Sequence, residues 1–142
     1  MTVQGVFDIA ITEMDDMNES TGSTDTTDTK EYKVKVVRII NGVLDQLLPY
    51  SDTYVPVAGK SPVCPKVSDL TDTIALSDAL CYSVLPFYVA KELCIEAAPD
   101  KTNYFNQMYQ QNLSGVIAHT VTADEDIENL YGGIEYGEIY EW

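Results

Sequence analysis

Several features that define common protein classes are missing from this sequence of 142 residues. It has one histidine, one tryptophan and three cysteines without a CxxC pair, so no familiar zinc-binding pattern is present. No apolar run reaches the length of about eighteen residues that a membrane-spanning helix needs. The first residues lack a basic region ahead of their apolar part, which is not typical of a secretory signal. A chain of this length fits one domain with a modest core.

Motifs for catalysis and for cofactor binding are missing as well. The single histidine, His119, has no cysteine or serine beside it in a nucleophile motif. There is no GxGxxG or GxxxxGK[ST] sequence, and no pair among the many carboxylates is marked as acid and base. We therefore expect no enzyme, no cofactor and no metal. Cys64, Cys81 and Cys94 are predicted to be buried thiols in a reducing compartment.

The negative charge lies mainly at the two ends of the chain. The formal net charge is −15, and residues 1–29 hold seven acids with no Lys or Arg. Residues 119–142 hold seven more acids, again with no basic residue, whereas all eight basic residues lie between Lys30 and Lys101. The middle of the chain is therefore balanced and its ends are acidic. Direct binding of nucleic-acid phosphates, which needs clustered Lys and Arg, is disfavoured.

The stretch from Ser77 to Glu96 is predicted to form the central helical element. It has no charge between Ala79 and Ala90, and its apolar residues project all round a helical wheel. Such a helix must be covered on several sides, either in a core or at a subunit contact. Pro86 cannot donate a backbone hydrogen bond, so we expect a kink or two abutting helices there.

Two amphipathic helices are predicted before this element. Residues 2–17 carry an apolar stripe at helical spacing, and a second stripe runs from Lys30 to Leu48 before Pro49. Residues 18–29, rich in Ser, Thr, Asp and Gly, are expected to be a flexible linker, because they lack the spacing of a calcium loop. Three cations near the start of the second helix are expected on a solvated face or on one paired with the acidic ends of the chain, with phosphate binding as the alternative.

Residues 50–75 contain three prolines and a glycine, so no long helix fits there. Thr53–Val57 and Pro62–Val67 could pair as a loose β-hairpin at an edge. Long loops in small domains are usually functional or disordered, and here we predict a contact loop. Its predicted contact residues are Tyr54, Val55, Lys60 and Val63.

A last helix is predicted to begin at Pro99 and to stop at Ser114-Gly115. The acidic segment that follows could be a frayed terminus. A disordered acidic tail should however be poor in aromatic residues, so an arm that docks on a partner is the favoured interpretation. The predicted docking residues of this arm are Tyr131, Ile134, Tyr136, Ile139, Tyr140 and Trp142.

Together these patterns predict a mainly α protein. Its architecture would be a small four-helix bundle with a protruding loop or β-hairpin and an extended C-terminal arm. The predicted divisions are an N-terminal helix at 1–17, a linker at 18–29, a helical domain at 30–113 and an arm at 114–142.

The helical domain resembles the head–tail connector proteins of tailed bacteriophages, also called head-completion or adaptor proteins. The likeness lies in the helical hairpin and in the order of helix, irregular loop and hairpin between Lys30 and Leu113. The residues that carry it are Leu85-Pro86-Phe87-Tyr88-Val89-Ala90 with Leu93, then Pro99-Asp100, and Asn103-Tyr104-Phe105 with Tyr109. The residues predicted to make core or subunit contacts are Leu80, Val84, Leu85, Phe87, Tyr88, Val89, Leu93, Tyr104, Phe105 and Tyr109.

This resemblance implies a structural subunit of the virion, made in the bacterial cytoplasm, which forms a ring of typically twelve copies beneath the portal. Its partners would be its own copies, the portal protein and a stopper or tail-completion protein. DNA would pass through the ring without sequence-specific binding, and no membrane would be involved. We expect Asp8, Glu13, Asp15 and Asp16 to face that channel. The alternatives are an acidic DNA-mimic inhibitor and a small helical regulator of the host.

Overall fold

The computed structural model describes residues 1–14, 20–23, 26–27 and 29–124, and for residues 96–97 and 118–124 it describes the backbone alone. All regular elements in this part of the chain are helical, which confirms the predicted mainly α fold. The helices are α1 (Val3–Met14), α2 (Lys30–Asn41), α3 (Leu44–Leu47), a 3-10 turn (Leu48–Tyr50), α4 (Asp78–Ser83), α5 (Leu85–Ala97) and α6 (Pro99–Asp124).

Helix α1 confirms the apolar stripe predicted at the start of the chain. All six residues of the stripe are buried against the rest of the protein: Val3, Val6, Phe7, Ala10, Ile11 and Met14. The first N–H groups of a helix have no partner within it. Here the Val3 N–H donates to the Asp72 carbonyl at 3.0 Å and the Gln4 N–H to the Leu70 carbonyl at 2.9 Å. The irregular region after α3 therefore caps α1.

The single helix predicted from Lys30 to Leu48 is interrupted, and that prediction was wrong in its length. Helix α2 ends at Asn41, and Gly42 closes its last turn by donating to the carbonyls of Arg38 and Ile39. Glycine and a β-branched residue in succession, Gly42-Val43, are poor helix formers. The break turns the chain so that Val43, Leu44 and Leu47 are all buried.

Pro86 divides the central element into two abutting helices, one of the two outcomes predicted for it. Helix α4 ends at Ser83 and α5 begins at Leu85. The last carbonyls of a helix lack intrahelical partners. The side-chain amide of Asn112, on α6, donates to the Ser83 carbonyl at 2.7 Å. A side chain from the neighbouring helix therefore satisfies a polar group at the break.

Helix α6 begins at Pro99 as predicted but does not stop at Ser114-Gly115. It continues to Asp124, and its 26 residues span about 39 Å. The Ser114 hydroxyl donates to the Gln110 carbonyl of the same helix at 2.9 Å. Gly115 costs only about 1 kcal/mol relative to alanine in a helix. That penalty does not end a helix whose backbone hydrogen bonds continue on both sides.

The β-hairpin predicted within residues 50–75 does not form among the described residues, where the one β-type contact is an isolated bridge between Thr2 and Thr73. Each proline removes a backbone donor that a strand ladder needs. A turn lies between the two predicted arms: Gly59 has a φ of +78°, and the Lys60 N–H donates to the Val57 carbonyl at 3.2 Å. The region is an irregular loop.

Helix α5 lies at the centre of the bundle, in contact with α1, α2, α4 and α6. Its longest contact is with α6, across which aromatic rings meet in two pairs. Phe87 and Phe105 have ring centroids 6.4 Å apart, and Tyr88 and Tyr109 have centroids 5.3 Å apart. Tilted ring pairs at such distances are favourable. The α5–α6 hairpin thereby forms the frame on which the other helices pack.

Candidate interaction surfaces

Asp45 on α3 attaches the middle of the irregular loop to the bundle. Its Oδ1 accepts a hydrogen bond from the Cys64 N–H at 2.8 Å and also contacts the Lys66 ammonium. Lys66 donates in turn to the Cys64 carbonyl at 3.1 Å. The hydrogen bond from the Cys64 N–H lowers the pKa of the Asp45 carboxyl from its ordinary value, and the Lys66 ammonium lowers it further. A charged Asp45 therefore favours the attached loop.

Asn41, the last residue of α2, forms a second attachment. Its side chain donates to the Val67 carbonyl at 2.8 Å and accepts from the Val67 N–H at 2.9 Å. The amide thus pairs with the loop backbone as a neighbouring strand would. Because an amide side chain satisfies both a donor and an acceptor here, no backbone ladder is needed at this point.

Asp72 organises the last part of the loop. Its Oδ2 accepts from the Ser68 N–H at 2.7 Å, from the Ser68 hydroxyl at 2.9 Å and from the Asp69 N–H at 3.0 Å. The Ser68 donors and then the Asp69 N–H lower the pKa of the Asp72 carboxyl. The same turn presents the carbonyls that cap α1. Residues 64–76 are therefore a structured part of the domain, which we call the anchored segment.

Residues 52–63, the loop tip, differ from the anchored segment in exposing apolar side chains. Val55 is 77% exposed and Val63 is 75% exposed. Lys60 is exposed as well, and Tyr54 is half-buried. All four predicted contact-loop residues thus lie in one stretch of irregular loop. They border an open cavity of about 280 Å³ whose floor includes Leu48.

The residues predicted as core or subunit contacts lie on the central hairpin, and most of them are inside this chain's own core. Seven are buried and two, Phe87 and Tyr88, are partly buried against that core. Tyr104 is more than half exposed, although its ring contacts Phe105 edge-on at a centroid distance of 5.4 Å. The seven buried residues are Leu80, Val84, Leu85, Val89, Leu93, Phe105 and Tyr109.

A lysine lies among the aromatic rings of the hairpin. The Lys91 ammonium is 4.4 Å from the Tyr88 ring centroid and 5.4 Å from that of Tyr109. Its Nζ also lies 3.6 Å from a carboxylate oxygen of Glu92. Burial raises the pKa of both tyrosine hydroxyls, and Glu92 adds to the effect on Tyr88. The cluster is a cation–π contact between the Lys91 ammonium and two tyrosine rings, one on α5 and one on α6, and it joins the two helices.

Two of the four acids predicted to face a channel are described. Asp8 is half-buried on α1 and accepts from the Gln4 side chain at 2.7 Å, and Glu13 is exposed. Asp15 and Asp16 lie outside the described residues, and so do all six predicted docking residues of the C-terminal arm.

The sequence predictions missed a groove between α2 and the anchored segment, which we call the α2 groove. It is open and measures about 570 Å³. Its α2 wall presents Lys33, Val34, Val37 and Arg38, and its other wall presents Ser68, Asp69 and Leu70. Val34 is 83% exposed, more than any other large apolar side chain among the described residues. The only signal in the sequence was an exposed valine on an otherwise charged helix face. The groove could not be predicted from it, because the opposite wall lies about thirty residues further along the chain.

The described residues form neither a metal site nor a membrane span. They include no group of three or more His, Cys, Asp or Glu side chains placed to hold a metal ion. None of their helices is both long and apolar enough to cross a membrane. All three cysteines are buried, and burial raises the pKa of the Cys64 and Cys81 thiols.

Comparison of the chain with protein-family models, curated proteins and solved structures finds no match. The functional interpretation therefore depends on the surfaces of this chain itself.

Proposed function

We propose that the protein is a structural subunit of a phage head–tail connector, forming a ring under the portal that extends the DNA channel and joins head to tail. The observation that carries the proposal is the loop: its base is fixed by hydrogen bonds and its tip exposes valines. Exposed apolar side chains on a loop whose base is already fixed favour binding of another protein, because less ordering is needed on association.

The helical order supports the same proposal. A short amphipathic helix, an irregular loop and a helical hairpin broken at Pro86 follow one another, as the resemblance to connector proteins implies. The large buried core means that a single copy folds around α5, while the loop tip and exposed Tyr104 remain for contacts between subunits. In a ring, one tip would contact the next copy head to tail.

The acidic DNA-mimic alternative needs carboxylates spread over a solvated face. Two of the described acids, Asp45 and Asp72, instead accept hydrogen bonds that organise the loop. Carboxylates that hold a loop in place favour the connector proposal, and they are less suited to imitating a phosphate backbone.

The proposal is tested by assembly and by particle composition. Mass photometry of the protein with portal should detect a complex containing about twelve chains of 15.8 kDa, and mass spectrometry should find the chain in purified virions. A protein that stays small, is absent from particles and inhibits a nuclease would overturn the proposal in favour of the mimic.

A tip variant adds a residue-level test. Val55→Asp with Val63→Asp should leave thermal unfolding unchanged, because both side chains are exposed, and should prevent ring formation. The matched control is Ile95→Asp, an equally polar change at an exposed position of α5 away from the loop. Normal assembly of the tip variant would remove the loop from the proposed interface.

A further inference from the structure

The α2 groove combines apolar side chains with positive charge in a strongly acidic protein. Val34, Val37 and Leu70 supply the apolar surface, while Lys33 and Arg38 outnumber the one acid of the lining, Asp69. Asp69 already accepts from the Leu70 N–H at 2.7 Å. The lining therefore carries two cations and one carboxylate on a chain whose net charge is −15, and Arg38 is exposed there. Charge complementarity of this kind selects an acidic partner.

The walls of the groove are fixed before any partner binds. Asn41 joins the end of α2 to Val67, and Asp72 holds the turn that carries Ser68 and Asp69. The Gln4 N–H, from α1, donates to the Leu70 carbonyl. A groove built on such contacts loses little conformational freedom on binding, which favours affinity.

The last eighteen residues of the same sequence have the complementary chemistry. Residues 125–142 contain six acids and no Lys or Arg. They also contain eight apolar or aromatic residues: Ile127, Leu130, Tyr131, Ile134, Tyr136, Ile139, Tyr140 and Trp142. An arginine suits such a segment, because its guanidinium pairs with carboxylates and also stacks on aromatic rings.

Helix α6 connects this segment to the helical hairpin. Asn112 contacts the α4–α5 junction, and the helix continues from there to Asp124, about 18 Å further. The main contacts of α6 are with α5, α4 and the 3-10 turn, whereas those of α2 are with α5, α1 and α3. Apart from α5, α6 and α2 thus have different main neighbours, which favours docking between copies over docking within one copy.

We infer that residues 125–142 of one copy bind the α2 groove of a second copy, with carboxylates at Arg38 and apolar side chains against Val34, Val37 and Leu70. The inference rests on the proposed function in that it supplies a contact between subunits of the ring. Each copy would offer one acidic segment and one groove, so the contact is head to tail, the type of contact from which rings are built.

The test uses the full chain with a photo-crosslinking amino acid, benzoylphenylalanine, in place of Tyr140. This protein is mixed with ¹⁵N-labelled wild-type protein, irradiated and digested. We expect crosslinks to peptides containing α2 or residues 68–70 that join the two isotopic forms. Crosslinks within one chain, crosslinks to other surfaces, or none at any protein concentration would overturn the inference.

Charge variants identify the groove. Arg38→Glu should lower the yield of mixed-isotope crosslinks at least about threefold, and adding Glu138→Arg in the probe-bearing chain should restore part of it. The matched control is Lys35→Glu: Lys35 lies on the same helix, outside the groove, with its Nζ 3.6 Å from Glu31. Equal losses in both variants would mean that overall charge is responsible, and would overturn the groove assignment.

The inference and the proposed function can fail separately. Incorporation into virions without groove crosslinks would leave the connector proposal in place and remove this contact. Groove crosslinks in a protein absent from virions would keep the contact and remove the connector proposal.

Discussion

Asn41 and Val67 are joined by two opposed hydrogen bonds, one of 2.8 Å from the Asn41 amide to the Val67 carbonyl and one of 2.9 Å from the Val67 N–H back to the Asn41 oxygen. The pair connects the end of α2 to the anchored segment. It also forms the point at which the two walls of the α2 groove meet. One side chain therefore supports both surfaces to which we assign binding.

Replacing Asn41 should destabilise the protein. Asn41→Ala leaves the part-buried Val67 N–H and carbonyl without these partners, and we expect unfolding to become easier by about 1–3 kcal/mol. Urea denaturation followed by circular dichroism measures the change. Asn106→Ala, at an exposed position of α6, is the control and should change stability by less than about 0.5 kcal/mol. Equal stability of the two variants would contradict the proposed attachment.

Cys64 should report on detachment of the loop. Its side chain is 1% exposed, and burial raises the pKa of its thiol, so alkylation of the native protein should be slow. Asp45→Asn loses the charge that holds Lys66 and weakens the bond to the Cys64 N–H, and we expect faster alkylation at Cys64 alone. Mass spectrometry of iodoacetamide-treated protein distinguishes the sites. Cys81 and Cys94 are the internal controls, and faster reaction at all three would indicate global unfolding instead.

The carboxylates of Asp45 and Asp72, which both hold the loop, should make the protein acid-sensitive. Backbone and side-chain donors lower the folded-state pKa of Asp45 and Asp72, so each contributes stability above its unfolded value of about 3.9. That contribution is lost as pH falls from about 4 through the lower folded-state pKa. We expect Asp45→Asn and Asp72→Asn to differ most from wild type at pH 7 and least near pH 2. Denaturant titrations at several pH values measure this, and a gap that is independent of pH would contradict it.

Substitution of Gly115 tests whether α6 continues past Ser114. Its backbone is helical and a Cβ at this position meets no atom within 4 Å, so Gly115→Ala should stabilise the protein by about 0.4–1 kcal/mol. A helix that stopped there with a left-handed glycine would be destabilised by the same change. Gly59→Ala is the matched control: it also has open space, but its φ of +78° makes alanine unfavourable. Thermal unfolding of both variants should shift in opposite directions.

The sequence predicted the elements whose signals are local. The apolar stripe of α1, the division at Pro86 and the start at Pro99 each depend on a few neighbouring residues, and each is confirmed. The break after Asn41 was missed because the apolar spacing runs on through Gly42 without a change of period. The continuation past Ser114 was missed because a Ser-Gly pair permits a helix end but does not require one.

The surfaces were predicted less completely than the helices. The exposed tip residues could be named because prolines and a glycine exclude regular structure around them. The attachments of Asp45 and Asn41 could not, since they join residues that are far apart in sequence and carry no pairing motif. The α2 groove could not be predicted for the same reason: five of its eight lining residues belong to α2 and three to the anchored segment.

The capping of α1 by the carbonyls of Leu70 and Asp72 sets an order of folding. The α5–α6 hairpin joins neighbours in sequence through Ala98 alone, so its closure costs little chain entropy. Helix α1 gains its caps, and most of the contacts of its buried face, from partners far along the chain, and contacts of that kind form late. The hairpin should therefore gain protection from amide hydrogen exchange first, and α1 should join it last. During synthesis α1 would therefore remain uncapped and incompletely buried until the α5–α6 hairpin, which is made later, has formed.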